Sequence, residues 1–304
     1  IDAGVGTFMS SFNELNGVPV TGNKEMVKDI LKDEWQFNGF IVSDWGSIRE
    51  MLVHGIAADD YQAADLAMNA GIDMDMEGHI YIHQLKKLLA DGKITEKQID
   101  DAVRRILRIK FMLGLFDDPY RYCDTIREKE LILNPRHLEI AREVARKSMV
   151  LLKNDGVLPL SKKLNTVAVI GPLADNTEDI IGTWSARGEG KDAVSVLTGI
   201  RQKLPNTKVI HAKGCDITGD SKAGFAEAIA TARKADAVVL VVGEAAMMSG
   251  EALSRAFLDL PGVQKDLVLA INELKKPMVV VLMNGRPLTI EWMDNAVPAI
   301  LEAW

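Results

Sequence analysis

Cysteine is nearly absent from these 304 residues: only Cys123 and Cys215 occur. Two cysteines make neither a disulfide framework nor a thiolate metal site, so they leave the redox compartment open. Excess positive charge is also missing. The net charge is −7 and the isoelectric point is near 5.4, which argues against nucleic acid, because that partner needs a basic face. No uninterrupted apolar run approaches the roughly 20 residues of a membrane-spanning helix. Glycine-rich phosphate motifs are lacking as well. The segment VIGPLADNTEDIIG has no G-x-G-x-x-G spacing and there is no P-loop, so nucleotide binding is unsupported. His54, His79, His83, His137 and His211 form no metal motif. His79 and His83 are four apart but have no companion Glu, and DMDMEG departs from the calcium-loop pattern. The reading is therefore of a protein without cofactor or metal, although one acid of DMDMEG remains a candidate pocket residue.

Apolar residues make up 47% of the chain, enough for a sizeable core, and the length suits about two domains. The first third alternates strand and helix. TFMSSF, residues 7 to 12, reads as a strand, and NGVPVTGN as a loop ending in Asn23, an N-cap. Met26, Val27, Ile30 and Leu31 mark one face of the following helix, with Trp35 continuing it. Gly39 resets the chain and FIVSD forms the next strand. YQAADLAMNAG is a second helix and IDMDM a third strand. IHQLKKLLADG is a third helix closed by Gly92. Thr95 and Gln98 have capping-box spacing ahead of a long helix with Ile99, Val103, Ile106 and Leu107 on one face. Alternating units predict a parallel sheet with covering helices. A whole (β/α)8 barrel needs about 250 residues, so about 115 residues with three strands fit only the last part of one.

GLFDDPYRYCDTIREKE, residues 114 to 130, has turn residues, charge and no sustained period, and reads as a linker. Asn134 and Pro135 then start a helix that runs through AREVARKSM. Four strands follow: VAVIG at 167 to 171, KVIHA at 208 to 212, AVVLVVG at 237 to 243 and MVVVLMN at 278 to 284, with helices near 223 to 234 and 263 to 275. Continuous apolar strands suggest a sheet covered on both faces. The expected fold class is thus α/β: residues 1 to 116 as the C-terminal part of a barrel, 117 to 134 as linker, and 135 to 304 as a second α/β domain. The chain starts on Ile1, without an initiator Met, and stops on AILEAW, which reads as mid-strand. The expectation is an excised piece of a longer protein, with any targeting segment elsewhere.

Two stretches carry carboxylates at strand ends. GFIVSDWGS, 39 to 47, ends a buried strand on Asp44 beside Trp45. A carboxylate at the C-terminal end of a barrel strand is where catalytic groups sit. An Asp in this place also often caps the next helix. Trp45 offers a flat apolar face suited to a sugar ring, or is simply buried. MMSGEALSR, 247 to 255, follows the strand AVVLVVGE and holds Glu251 and Arg255. Such a loop is a site candidate in an open α/β sheet, though a solvated Glu on a mobile loop is the commoner occurrence. Glu244 is a nearby competitor.

Ten stretches, in order, resemble the family three glycoside hydrolases, in particular the bacterial periplasmic β-glucosidase subgroup. They are SFNELNGVPVTGN, GFIVSDWGSI, HGIAAD, AGIDMDM, GLFDDPY, AREVARKSMVLLKN, VAVIGPLAD, WSARG, VVGEAAMMSGEALSR and VVLMNGRPL. The resemblance implies the sixth to eighth units of a (β/α)8 barrel, then most of an α/β sandwich truncated at its C-terminus, with the active site between them. The family nucleophile, the Asp of S-D-W, falls on Asp44. The family acid/base falls on Glu251, 251 − 44 = 207 positions later. Trp45, Met248 and Arg255 are the implied sugar contacts. The implied activity is a retaining, exo-acting β-glucosidase, periplasmic or secreted, acting on β-linked oligosaccharides or glycosides. A retaining pair stands about 5 to 5.5 Å apart.

This chain departs from the family in places. Phe12 stands where members often carry a Tyr. The family's Lys-His pair, its sugar-gripping Asp and Arg, and its fibronectin-like domain have no counterpart in these residues, so the piece alone is expected to be inactive. The partner it calls for is the remaining barrel half, and unpaired strand edges also allow a homodimer. β-Xylosidase or another β-glycosidase activity is the alternative within the family. A non-catalytic carbohydrate-binding relic is the alternative outside enzymes.

Overall fold

The computed structural model describes residues 1 to 304, which divide into two compact units, Ile1–Glu130 and Leu131–Trp304. The first unit pairs β1 (Thr7–Met9) in parallel with β4 (Phe40–Val42), Phe8 lying opposite Ile41. β2 (Glu14–Leu15) and β3 (Val18–Pro19) form a small antiparallel hairpin, β3 lying where the sequence predicts loop. The helix Glu25–Glu34 is wound with wide turns, the Trp35 N–H donating to the Ile30 carbonyl five residues back at 2.8 Å. This winding breaks the expected 3.6-residue stripe. Val27 is buried but Trp35 is 57% exposed, because a longer period rotates each later residue off the stripe. Asn23 does cap this helix, accepting from the Met26 N–H at 3.1 Å.

α1 (Ser47–Glu50), α2 (Asp60–Ala70), α3 (Ile80–Ala90) and α4 (Glu96–Met112) follow. Asp59 caps α2, and Thr95 with Gln98 makes the reciprocal capping box of α4. The small-residue stripe Ala63, Ala64 and Ala67 lets α2 pack closely in a core with Ile41, Ile48, Met51, Ile72 and Leu88. The predicted strand IDMDM makes only a single bridge, Met74 to Val42. A ladder does not continue because Asp73 turns inward and caps the Ile41 N–H with its side chain at 2.8 Å. β1 is paired along one edge only.

α5 (Thr125–Leu131) leads to α6 (Pro135–Ser148), whose N-cap Asn134 accepts from the Arg136 N–H at 3.0 Å. The second unit is built on a six-stranded mixed sheet ordered β5-β10-β9-β8-β6-β7. Its strands are β5 (Val150–Asn154), β6 (Thr166–Ile170), β7 (Lys208–Ala212), β8 (Ala237–Gly243), β9 (Met278–Met283) and β10 (Ala299–Glu302). All neighbours are parallel except β5, which runs antiparallel to β10. The helices are α7 (Val196–Lys203), α8 (Phe225–Arg233), α9 (Gln264–Asn272) and α10 (Glu291–Ala296). β8 shows why its sequence is continuously apolar. Val238, Leu240 and Val242 fill one core while Val239 and Val241 fill the other, on the opposite face. No helix is long and apolar enough to cross a membrane.

Candidate functional site

In the first unit, β4 delivers Asp44 at its C-terminal end. Asp44 is half-buried, and its Oδ1 accepts from the Trp45 N–H at 2.7 Å. It is not the cap of α1. That helix begins after Gly46, which has φ 67° and no capping side chain. Glycine takes this left-handed turn without steric cost, and the turn frees the carboxylate from capping duty. Trp45 is not buried either: it is 65% exposed beside an open groove of about 380 Å³ shared with Arg49, Glu50 and Glu77.

A buried chain of hydroxyls fixes this strand end. Ser10 and Thr21 share a hydrogen bond of 2.9 Å, as do Thr21 and Ser47. Ser43 donates to the Asp44 carbonyl at 3.0 Å and accepts from the Met76 N–H at 2.8 Å. Sequence reading missed these four residues. The only signal was hydroxyl side chains recurring at the ends of apolar runs.

The acids of DMDM have separate structural tasks. Asp73 forms an ion pair with Lys32 at 2.7 Å, and the two side chains are 5% and 8% exposed. Burial pushes the Asp73 carboxyl up and the Lys32 ammonium down, each opposed by the other's charge. Asp75 Oδ2 accepts from the Ile80 and Tyr81 N–H groups at the start of α3, at 2.7 and 3.2 Å. His79 and His83 are both exposed, and no three His, Cys, Asp or Glu side chains cluster for a metal ion.

In the second unit, β6 lies between β7 and β8, so the chain reverses its direction of build there. The crevice beyond the strand C-termini at such a reversal is the usual ligand site of an open α/β sheet. A cleft of about 200 Å³ occupies it, lined by Asp179, Thr183, Glu244, Ser249, Asn284 and Trp304, among others. Buried Gln264 ends β8. Its amide accepts from the Gly243 N–H and donates to the Gly243 carbonyl, both at 2.8 Å. Glu244, the next residue, is 4% exposed. Its Oε1 receives Arg255 Nη1 and lies 3.4 Å from Arg286 Nε. Arg255 also donates to the Asp259 carbonyl at 2.9 Å, so its guanidinium is engaged within the unit. Met248 is half-buried, with its carbonyl taken by Arg286 Nη2. Glu251 is exposed at the tip of the same loop.

Two family models match the chain. The glycosyl hydrolase family 3 N-terminal domain matches residues 1–109, and the family 3 C-terminal domain matches residues 149–304. The chain belongs to glycosyl hydrolase family 3. Among relatives of this family 3 chain, the periplasmic beta-glucosidase of Salmonella typhimurium is 42% identical over all of this chain and 43% of its own length. A beta-xylosidase of Formosa agariphila is 43% identical over all of this chain and 44% of its own. Among solved structures, the beta-glucosidase from Listeria innocua in complex with isofagomine superposes with a TM-score of 0.90 at 38% identity. That match covers all of this chain and 42% of the other. The chain thus spans less than half the length of these relatives.

Proposed function

We propose that the complete protein is a retaining, exo-acting β-glucosidase that removes terminal β-linked glucose, and that it acts in the periplasm like its Salmonella relative. In this reading the first unit is the last three strand-helix units of a (β/α)8 barrel and the second is an α/β sandwich. The observation that carries the reading is Asp44. It is a carboxylate at a strand end in a family 3 chain, released from capping by Gly46 and flanked by an exposed indole. Asp44 attacks the anomeric carbon and the leaving oxygen departs with a proton from Glu251. Water then gives its proton to Glu251 and displaces Asp44 from the same carbon, so configuration is retained. Trp45, Met248 and Arg255 line the sugar path, Arg255 by way of the loop it anchors. A β-xylosidase is the second reading, favoured by the 43% identity to the Formosa enzyme.

An aryl glycoside panel tests both readings. In the complete protein, Asp44→Ala should abolish hydrolysis, because no glycosyl-enzyme can form. Glu251→Ala should retain turnover only on substrates with very good leaving groups, and azide should accelerate it. Full activity in Asp44→Ala would refute the mechanism. A preference for xylosides over glucosides would move the substrate to the second reading.

A further inference from the structure

The loop from Ala245 to Ser254 is anchored by charges rather than by an apolar core. Glu244, at its root, and Arg255, at its return, are eleven residues apart and directly ion-paired. Arg286, just beyond β9, approaches the same Glu244 oxygen at 3.4 Å, an ionic contact without hydrogen-bond geometry. Its Nη2 reaches into the loop to the Met248 carbonyl. One carboxylate therefore holds two guanidiniums: one closes the loop and the other grips its middle. Glu244 Oε2 is buried without a partner, so removing either arginine would leave a buried charge poorly compensated, and buried carboxylates do not tolerate that cheaply.

The loop is also seated tightly. The Ala246 N–H donates to Asp179 Oδ1 at 2.7 Å. A methyl group on Gly285 would lie 2.4 Å from Ser249 Oγ, so Ser249 sits against bare backbone. Polar contacts thus hold the loop at its root, its middle and its return, and Met247 and Glu251 are exposed on it. Loops closed at both ends and packed by their own side chains hold functional groups in place.

We propose that Glu244, Arg255 and Arg286 form a buried charge clamp that positions the loop and so presents the Glu251 carboxyl; the proposal rests on Glu251 being the acid/base. Glu244 in this scheme is a positioning residue and exchanges no proton with substrate. A displacement of about 1 Å costs a catalytic group on the order of 100-fold. The loss should appear only where protonation of the leaving group limits the rate.

The test uses the complete protein and two variants. Glu244→Gln removes the charge at constant shape. Arg286→Met frees the middle of the loop while leaving the Glu244–Arg255 pair in place, and the count of reactive sites separates lost fold from lost rate. Reactive sites are counted by trapping Asp44 with a 2-deoxy-2-fluoro glycoside, and rates are normalised to that count. On a phenyl glycoside, kcat/KM per site should fall by about 30-fold to 100-fold. On a dinitrophenyl glycoside it should fall by less than about threefold. Equal losses on both substrates, or no loss on either, would overturn the clamp. Azide acceleration of Glu244→Ala but not of Glu251→Ala would also overturn it, by making Glu244 the acid/base. A Glu251→Ala enzyme indifferent to leaving group would instead defeat the reading of Glu251, and the clamp with it.

Discussion

In the first unit, the strand that ends at Asp44 has one ladder partner over three residues and a single further bridge. In the second, β8 is flanked by β6 and β9 along most of its length and is buried at every residue. The difference lies in what replaces missing sheet. The first unit holds its strand end with polar contacts: Asp73 on the Ile41 N–H, Lys32 on Asp73, and the hydroxyl chain through Thr21. The second unit holds β8 by apolar packing on two faces and places a buried charge, Glu244, just past that strand's end. A strand short of neighbours thus leans on directional bonds that fix one geometry, whereas a strand inside a full sheet leaves its charged residues free to shape the loop beyond it.

That contrast can be broken by substitution. The largest effect is expected for Asp73→Asn, which strands Lys32 as a buried uncompensated charge. About 3 to 5 kcal/mol of local stability should be lost, read as faster amide exchange across β1, β4 and α2 in the complete protein. Adding Lys32→Met to Asp73→Asn removes the stranded charge while the Asn side-chain oxygen can still accept from the Ile41 N–H, and should recover most of it. If the single variant exchanges no faster, the ion pair is not what holds β4. Next comes Leu240→Ala, at a fully buried site, expected to cost about 3 kcal/mol through the cavity it leaves and to show in β6, β8 and β9. A smaller effect, about 1 kcal/mol, is expected for Thr95→Ala, which opens the capping box of α4. Exchange of the first α4 amides measures it.

Much of the second unit was legible in the sequence. AVVLVVG and MVVVLM can bury such continuous apolar runs only in a sheet covered on both faces, and β8 buries every residue and β9 all but Met283. What escaped notice there were β5, α10 and α7, and in α7 Gly199 and the β-branched Val196, Thr198 and Ile200 weaken the helix signal. Its N-cap Ser195, accepting from the Thr198 N–H, restores it. In the first unit the local caps at Asn23, Thr95 and Gln98 were readable, because capping is a short-range pattern. The length of β1 and the loss of a ladder at IDMDM were not, because both depend on contacts distant in sequence. Asp73 meets Lys32 across 41 positions. The candidate site divides the same way. Asp44 stood out as an acid at a strand end and Glu251 was reached through the family resemblance, but the bond between Glu244 and Arg255 could not be seen in a linear string.

The smallest expected effect sharpens the comparison at the open side of the second sheet. β7 is its edge strand, and there His211 is only half-buried, with Nε2 unpartnered. Burial lowers its pKa from 6.5, opposed by Asp175 and Glu227 and reinforced by Arg201. The sign follows from proton counting. An unfolded chain takes up a proton at His211 as pH falls through about 6.5, while the folded imidazole stays neutral until lower pH. The unfolded state therefore binds more protons in that window, and stability falls on acidification from about pH 7 towards pH 5. His211→Gln, which cannot titrate, should flatten the pH dependence of β7 amide exchange over this window and leave β8 and β9 unchanged. An unaltered slope would mean that other groups set the acid response of this edge, and that the imidazole is solvated well enough to titrate alike in both states.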